Sequence, residues 1–363
     1  MKRVTTGERM VLNRDSIAGT VCLIGVASTM FLAGCAGGPV GRSSWPATAT
    51  ATALSGLDRD MTVRPGDSWI AYQWAGEDGR DRVFLIRPDG SGLHQLLSDG
   101  PGDQWHPDWS PDGEHIAFVQ HTPDDRTELW KVNADGSDAR MLYRCEPPCN
   151  EIGYPDWAPD GSMVFFGLSA DAVGDDTPRT FAVERYDLAR NATTTVLTRA
   201  DGLTAEQPRI SPDGERVAYT RVRDVSDKPI QAALFVADLA GGTERRLTPW
   251  EMVAMHPDWT ADSRIIFDTY DIMVFQEATG PANLWTVDVD GTHLTPLTQF
   301  TAGGPRASQP RVSPDGSGAT YTHLDGAGLG SRELAMISLD GSRSGWLTPA
   351  PIPGTHAELR PED

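Results

Sequence analysis

One segment recurs along this chain. Its clearest copy is Gln104-Trp105-His106-Pro107-Asp108-Trp109-Ser110-Pro111-Asp112-Gly113, followed by the strand-like run Ile116-Ala117-Phe118-Val119. Four further copies are Tyr154-Pro155-Asp156-Trp157-Ala158-Pro159-Asp160-Gly161, Gln207-Pro208-Arg209-Ile210-Ser211-Pro212-Asp213-Gly214, His256-Pro257-Asp258-Trp259-Thr260-Ala261-Asp262-Ser263 and Gln309-Pro310-Arg311-Val312-Ser313-Pro314-Asp315-Gly316. Their first prolines stand 48, 53, 49 and 53 residues apart. A partial copy, Pro65-Gly66-Asp67-Ser68 ahead of Trp69-Ile70-Ala71-Tyr72, precedes Pro111 by 46 residues and brings the count to six. A fixed period of this size implies units that cannot bury a core alone and must stack on their neighbours.

Within each unit a second apolar run meets a tight turn, as in Val83 to Ile86 before Asp89-Gly90, Leu129 to Val132 before Asp135-Gly136 and Leu284 to Val287 before Asp290-Gly291. These are hairpin signals. A short closing strand comes next, most regularly Leu197-Thr198, Leu247-Thr248, Leu297-Thr298 and Leu347-Thr348, each 50 residues after the last. Four short strands per repeat without helical periodicity predict an all-β chain, a six-bladed β-propeller of four-stranded antiparallel blades. The Ser-Pro-Asp-Gly turn has a local cause, since Pro presets φ at the second position, Asp tolerates the third and Gly accepts the conformation after it. The fifth unit, Thr260-Ala261-Asp262-Ser263, lacks both Pro and Gly, so the most irregular corner is expected there. The first blade lacks an inner strand, which either Thr355 to Pro361 or Asp60 to Val63 can supply.

The PxWSPDG segment resembles the PD-type propeller repeats of the TolB family, over roughly Met61 to Thr348. The resemblance implies six blades, with a terminal strand completing the first. It also implies an envelope role, since TolB works there with a peptidoglycan-associated lipoprotein and carries an α/β domain ahead of its propeller. Residues 36–60 offer too little chain for such a domain.

Ahead of the repeats the sequence changes character. Lys2, Arg3, Arg9 and Arg14 lead into the apolar run Ile17 to Leu32, the pattern of an export signal. That run ends in Leu32-Ala33-Gly34-Cys35, which resembles the lipobox of bacterial lipoproteins and makes Cys35 the acylated first residue. The expected organisation is a signal peptide over 1–34, a lipidated flexible tether over 35–60 rich in Gly, Pro, Ser, Ala and Thr, and the propeller over 61–363. Two or three acyl chains, at roughly 0.8 kcal/mol per buried methylene, hold such a protein durably on a bacterial membrane, outside the cytoplasm. In that oxidising compartment Cys145 and Cys149 of the CEPPC segment are expected to form a local disulfide.

In an antiparallel blade the short turns collect on one face, while the long loops and the blade-to-blade links collect on the other. The long connections are Gly167 to Thr180, Arg221 to Ala232, Asp268 to Asn283, His323 to Arg332 and the Cys145–Cys149 link. Loops on a rigid scaffold carry binding, so this face is the expected functional surface. The residues before the first prolines, His106, Tyr154, Gln207, His256 and Gln309, are placed at the channel mouth on that face, either as a binding ring or as the lining of a water-filled channel. Two positions on, Asp108, Asp156 and Asp258 alternate with Arg209 and Arg311, which either pair or leave a charge-selective channel. Trp109, Trp157 and Trp259 are assigned to packing between blades.

Other chemistry finds little support. The sequence contains no GxSxG nucleophile elbow, HExxH, phosphate-binding glycine loop or EF-hand loop; Asp171 to Asp176 is read as a solvated loop rather than a calcium site. With 51 acidic against 31 basic residues the formal charge is −20, which argues against nucleic acid. The expectation is therefore a monomeric, non-enzymatic scaffold without metal or cofactor, binding an envelope protein or cell-wall polymer on its loop face. The alternative is a metal-assisted polysaccharide lyase or hydrolase built on His106, Gln207, His256 and Gln309, since some propeller lyases of pectic sugars use such a set.

Overall fold

The computed structural model describes residues 69–361, apart from 77, 98–99, 101, 171–179, 200–202, 224–230, 242, 270–280, 302, 326–331 and 349–351. The signal segment, Cys35, the tether, the Asp60 to Val63 segment and Asp171 to Asp176 lie outside the described residues.

The strands form six antiparallel four-stranded sheets. Blade one comprises β1 (Ile70–Ala75), β2 (Asp81–Ile86) and β3 (His94–Gln95), and its inner strand is β24 (Thr355–Leu359). Blade two is β4 (Gln104–Trp109), β5 (His115–His121), β6 (Thr127–Asn133) and β7 (Arg140–Arg144). Blade three is β8 (Cys149–Trp157), β9 (Met163–Ala170), β10 (Thr180–Asp187) and β11 (Ala192–Arg199). Blade four is β12 (Thr204–Ile210), β13 (Arg216–Arg223), β14 (Gln231–Asp238) and β15 (Glu244–Arg246). Blade five is β16 (Ala254–Trp259), β17 (Arg264–Thr269), β18 (Asn283–Asp288) and β19 (Thr295–Pro296). Blade six is β20 (Arg306–Val312), β21 (Gly318–Leu324), β22 (Arg332–Ser338) and β23 (Ser344–Trp346). The one helical element among the described residues is a 3-10 turn, Trp250–Met252.

The inner strands β24, β4, β8, β12, β16 and β20 lie side by side in that order, and β20 returns to β24, closing the ring. Of the two segments that sequence offered for the first blade, the C-terminal one fills the place. It pairs Ala71 with Glu358 and Gln73 with Thr355. Closure is driven by where the apolar surface lies, since the core clusters sit between blades. Val83 and Leu85 of blade one pack with Trp109, Ile116 and Phe118 of blade two. Val183 and Phe181 of blade three meet Val217 and Tyr219 of blade four, and Leu334 and Met336 of blade six meet Ile70 and Tyr72 of blade one. Each fully buried aliphatic or aromatic side chain is worth about 1.5–3 kcal/mol, so an open ring would leave two such faces wet.

The expected irregular corner is regular. In blade two Gly113 N–H donates to Ser110 O at 2.8 Å and Glu114 N–H to Asp112 Oδ1 at 3.0 Å. In blade five Ser263 N–H donates to Thr260 O at 2.9 Å, and Thr260 Oγ1 to Asp262 Oδ1 at 2.5 Å. The hydroxyl and carboxylate of the turn suffice to close it without Pro. Ser263 then takes the left-handed φ of 62° that Gly113 takes at 66°.

Candidate functional site

The channel is built by the same local event in each blade. Every inner strand carries an extra residue relative to its neighbour at the same place, with register shifts between Trp105 and Asp108, Gly153 and Asp156, Glu206 and Arg209, Met255 and Asp258, Ser308 and Arg311, and Thr355 and Glu358; β8 has a second shift between Cys149 and Glu151. These are β-bulges, which re-aim a side chain and free backbone groups from the ladder. The residue at each of the six matching bulges has a positive φ: His106 54°, Tyr154 54°, Gln207 60°, His256 48°, Gln309 57° and His356 52°. The proline that comes next in five of the six has no N–H to leave unpaired. The freed N–H of the bulge residue reaches a side chain of the preceding blade. His106 donates to Gln73 Oε1 at 3.3 Å, His256 to Gln207 Oε1 at 2.8 Å and Gln309 to Asp268 Oδ2 at 2.7 Å.

The five residues that sequence placed at the channel mouth therefore do converge, and a sixth, His356, joins them. All six are 1–8% exposed, so they fill the channel at this level and do not line a water column. The His106 and Tyr154 rings stack at 3.9 Å between centres, and His356 meets His106 edge-on at 4.8 Å and His256 at 6.5 Å. Blades two and five face each other across the ring, yet both histidines reach His356, because the axis is narrow. The two glutamines are committed to the fold. Gln207 Oε1 accepts from Thr220 Oγ1 at 3.0 Å as well as from His256 N–H, and Gln309 Oε1 accepts from Thr322 Oγ1 at 3.1 Å. Burial holds the His106 and His356 imidazoles well below the usual histidine range, with Arg311 adding to it at His106 and His106 at His356.

Two residues further along each inner strand stands a charged tier of Asp108, Asp156, Arg209, Asp258, Arg311 and Glu358. Arg209 Nη1 donates to Asp108 at 2.9 Å and to Asp156 at 2.7 Å, so the cation bridges three blades. The carboxylates also accept backbone N–H groups of the next blade: Asp108 from Trp157 at 2.9 Å, Asp156 from Ile210 at 2.5 Å, Asp258 from Val312 at 2.6 Å and Glu358 from Trp109 at 3.3 Å. Of the two readings of the alternating signs, pairing holds for Arg209; Arg311 Nη1 donates to Pro310 O at 3.0 Å. Burial pushes Asp156 up to about 7 against the pull of Arg209. Glu358 is driven well above the usual carboxylate range by burial and by Asp108 beside it. Trp157 Nε1 donates to Asp108 O at 3.1 Å and Trp259 Nε1 to Arg209 O at 2.8 Å, which places both indoles as packing between blades.

Sequence reasoning missed His356 and Glu358. His356-Ala357-Glu358-Leu359 is the remnant of His106-Pro107-Asp108-Trp109, and it stands 47 residues after Gln309, within the beat of the repeat. Loss of Pro and Trp hid it.

Residues 85–343 match the family described as the lipoprotein LpqB beta-propeller domain. The chain belongs to this family. The LpqB-type propeller is similar to a TolB crystal structure from Acinetobacter baumannii, with a TM-score of 0.61 at 20% identity over 82% of this chain and 68% of that one. It is also similar in fold to an oligogalacturonate lyase in complex with manganese, with a TM-score of 0.50 at 16% identity over 80% of this chain and 75% of that one. A curated relative, the uncharacterized protein Atu1656 of Agrobacterium fabrum, is 32% identical over 46% of this chain and 58% of its own length. The chain spans 6% and 58% of the lengths of the two curated relatives it matches.

The two faces of this LpqB-type propeller differ. Between second and third strands, blades one and two have the brief connections 76–80 and 122–126. Blades three to six have the longer 171–179, 224–230, 270–282 and 325–331. The same face carries the β7–β8 link, where Cys145 and Cys149 form a disulfide with Cα atoms 5.3 Å apart. On the opposite face Asp112, Glu114 and His115 are the one set of metal-ligand atoms among the described residues that already lie within 4.8 Å of one another. The two acids are exposed and engaged in the β4–β5 turn, and the set carries no functional reading.

Proposed function

We propose that this chain is an extracytoplasmic lipoprotein scaffold, acylated at Cys35 and tethered by 35–60, whose monomeric propeller binds an envelope protein or cell-wall polymer. The observation that carries this reading is membership of the lipoprotein LpqB propeller family. Three features support it. The Leu32-Ala33-Gly34-Cys35 segment fits an acylation site, the Cys145–Cys149 disulfide suits an oxidising compartment, and TolB itself shares the fold. The buried bulge and charge tiers hold the blades in register, and the face bearing the long connections of blades three to six is left as the surface for a partner. The proposed role is non-enzymatic. Gln207 and Gln309, which a His/Gln metal centre would need, already use their carbonyl oxygens: Gln207 accepts from Thr220 of its own blade and from His256 N–H of the next, and Gln309 accepts from Thr322 of its own blade.

The test is a crosslinking pull-down of the lipidated protein from its own envelope, with the Cys35→Ala variant and loop-face variants in parallel. A reproducible partner, lost when the 224–230 or 325–331 connection is replaced by a short Gly-Ser linker, supports the scaffold. Turnover of an envelope oligosaccharide by the purified chain, with no partner recovered, overturns it.

A further inference from the structure

We propose that the loop-face tier of the channel is a site for one divalent transition-metal ion, held by His106, His256 and His356. The His256 ring is fixed from behind. Its Nδ1 lies 3.0 and 3.1 Å from the two oxygens of Asp268, a fully buried carboxylate that also accepts Gln309 N–H at 2.7 Å. A carboxylate accepts only, so Nδ1 carries the proton and Nε2 presents a lone pair. That Nε2 is buried and meets no hydrogen-bond partner, and the same holds for Nδ1 of His106. Buried polar atoms in native proteins are satisfied, so an unmet lone pair on a ring held in this way asks for a donor or a cation. An imidazole held at one nitrogen by a carboxylate, with the other left open, is the arrangement that orients histidine for a metal.

The third ring approaches both of the others. His356 is 4.8 Å from His106 and 6.5 Å from His256, centre to centre. With Zn–N bonds of about 2.0–2.1 Å, imidazoles sharing one tetrahedral ion have centres about 5 Å apart. The His106–His356 pair already has that spacing, and the ion draws the His256–His356 pair inward by a side-chain adjustment. The neighbouring tier supplies further oxygen atoms around the axis. That tier holds four carboxylates, Asp108, Asp156, Asp258 and Glu358, against two guanidiniums, Arg209 and Arg311, and every one of these groups is buried or nearly so. Imidazole donors favour zinc, cobalt, nickel or copper over magnesium or calcium. Bound there, the ion ties blades one, two and five together, including the C-terminal strand that completes the ring.

The experiment uses the full chain stripped with a chelator and titrated with Co²⁺ and then Zn²⁺. Saturation at one equivalent with visible d–d bands of nitrogen-ligated cobalt, together with a rise in Tm on adding Zn²⁺, is the expected result. His256→Gln removes both responses, Asp268→Asn weakens binding by about 10–100-fold, and Asp112→Asn leaves both unchanged. Absence of bands and of any Tm rise overturns the proposal. So does a signal that survives His256→Gln or disappears in Asp112→Asn, which would place the ion on the exposed turn. Circular dichroism checks that the variants are folded. Should His256→Gln fail to fold, the affinity loss in folded Asp268→Asn decides the matter. The scaffold reading is judged separately by the pull-down.

Discussion

Arg209 is the residue whose loss should cost the ring most. It is 4% exposed and donates from one nitrogen to Asp108 and Asp156, the first of which is 101 residues away in sequence. Replacing it with methionine keeps most of the apolar stem volume but leaves two carboxylates facing each other in a dry channel. Removing one partner of a buried ion pair costs about 3–5 kcal/mol. For a body of some 290 residues between Ile70 and Leu359, unfolding entropy of about 2 cal/mol/K per residue turns that cost into a Tm fall of about 5–8 °C.

The pH dependence carries a sign. Asp156 is held up to about 7 in the folded chain against an ordinary value of 3.8. The native state therefore keeps a proton that the unfolded chain has already lost, and stability falls as pH rises from about 4 to about 7. In Arg209→Met the carboxylates are left without their cation, so the window in which the proton stays bound extends further upward. The variant then loses more stability at pH 8 than at pH 5.5, and the excess is abolished by adding Asp156→Asn, which still accepts Ile210 N–H but carries no charge. Urea unfolding followed by tryptophan fluorescence at the two pH values measures this. A loss below about 1 kcal/mol in Arg209→Met, or one equal at both pH values, refutes the reasoning, because it would mean that the tier is not charged in the folded chain.

Other outcomes rest on single features. Ser263→Gly relieves the left-handed φ of 62° and is expected to stabilise the chain by about 1 kcal/mol, read as a raised urea midpoint with unchanged slope. Ending the chain after Gly354 removes β24, and with it the inner strand of blade one, His356 and Glu358; loss of cooperative unfolding and early proteolysis are expected. Cys145→Ser with Cys149→Ser opens a loop of sequence separation 4 and lowers stability by about 2 kcal/mol, with the strand circular dichroism retained.

Much of the fold is legible in the sequence because its causes are local. A Ser-Pro-Asp-Gly corner closes on its own hydroxyl and carboxylate, as Ser110 and Asp112 do, so the turns announce themselves wherever those residues stand. The blade-five corner departs from expectation for the same reason in reverse: Thr260 and Asp262 carry the necessary groups, and Ser263 tolerates what Gly would have taken without strain. The channel is only half legible. Five bulge residues are marked by the proline after them, whereas His356 sits before Ala357 in a segment that has lost both markers.

Sequence by itself determined the number of blades, the alternation of acid and arginine, and the positions where five of the six inner strands turn a side chain toward the axis. Each of these depends on residues within a few places of one another. Tertiary structure alone decided which segment closes the ring, since Ala71 and Glu358 lie at opposite ends of the propeller sequence and meet only when every blade is in place. It also decided what the axial residues do. Arg209 finds Asp108 across two blade boundaries, and the histidines of opposite blades come together on a narrow axis that no single repeat encodes.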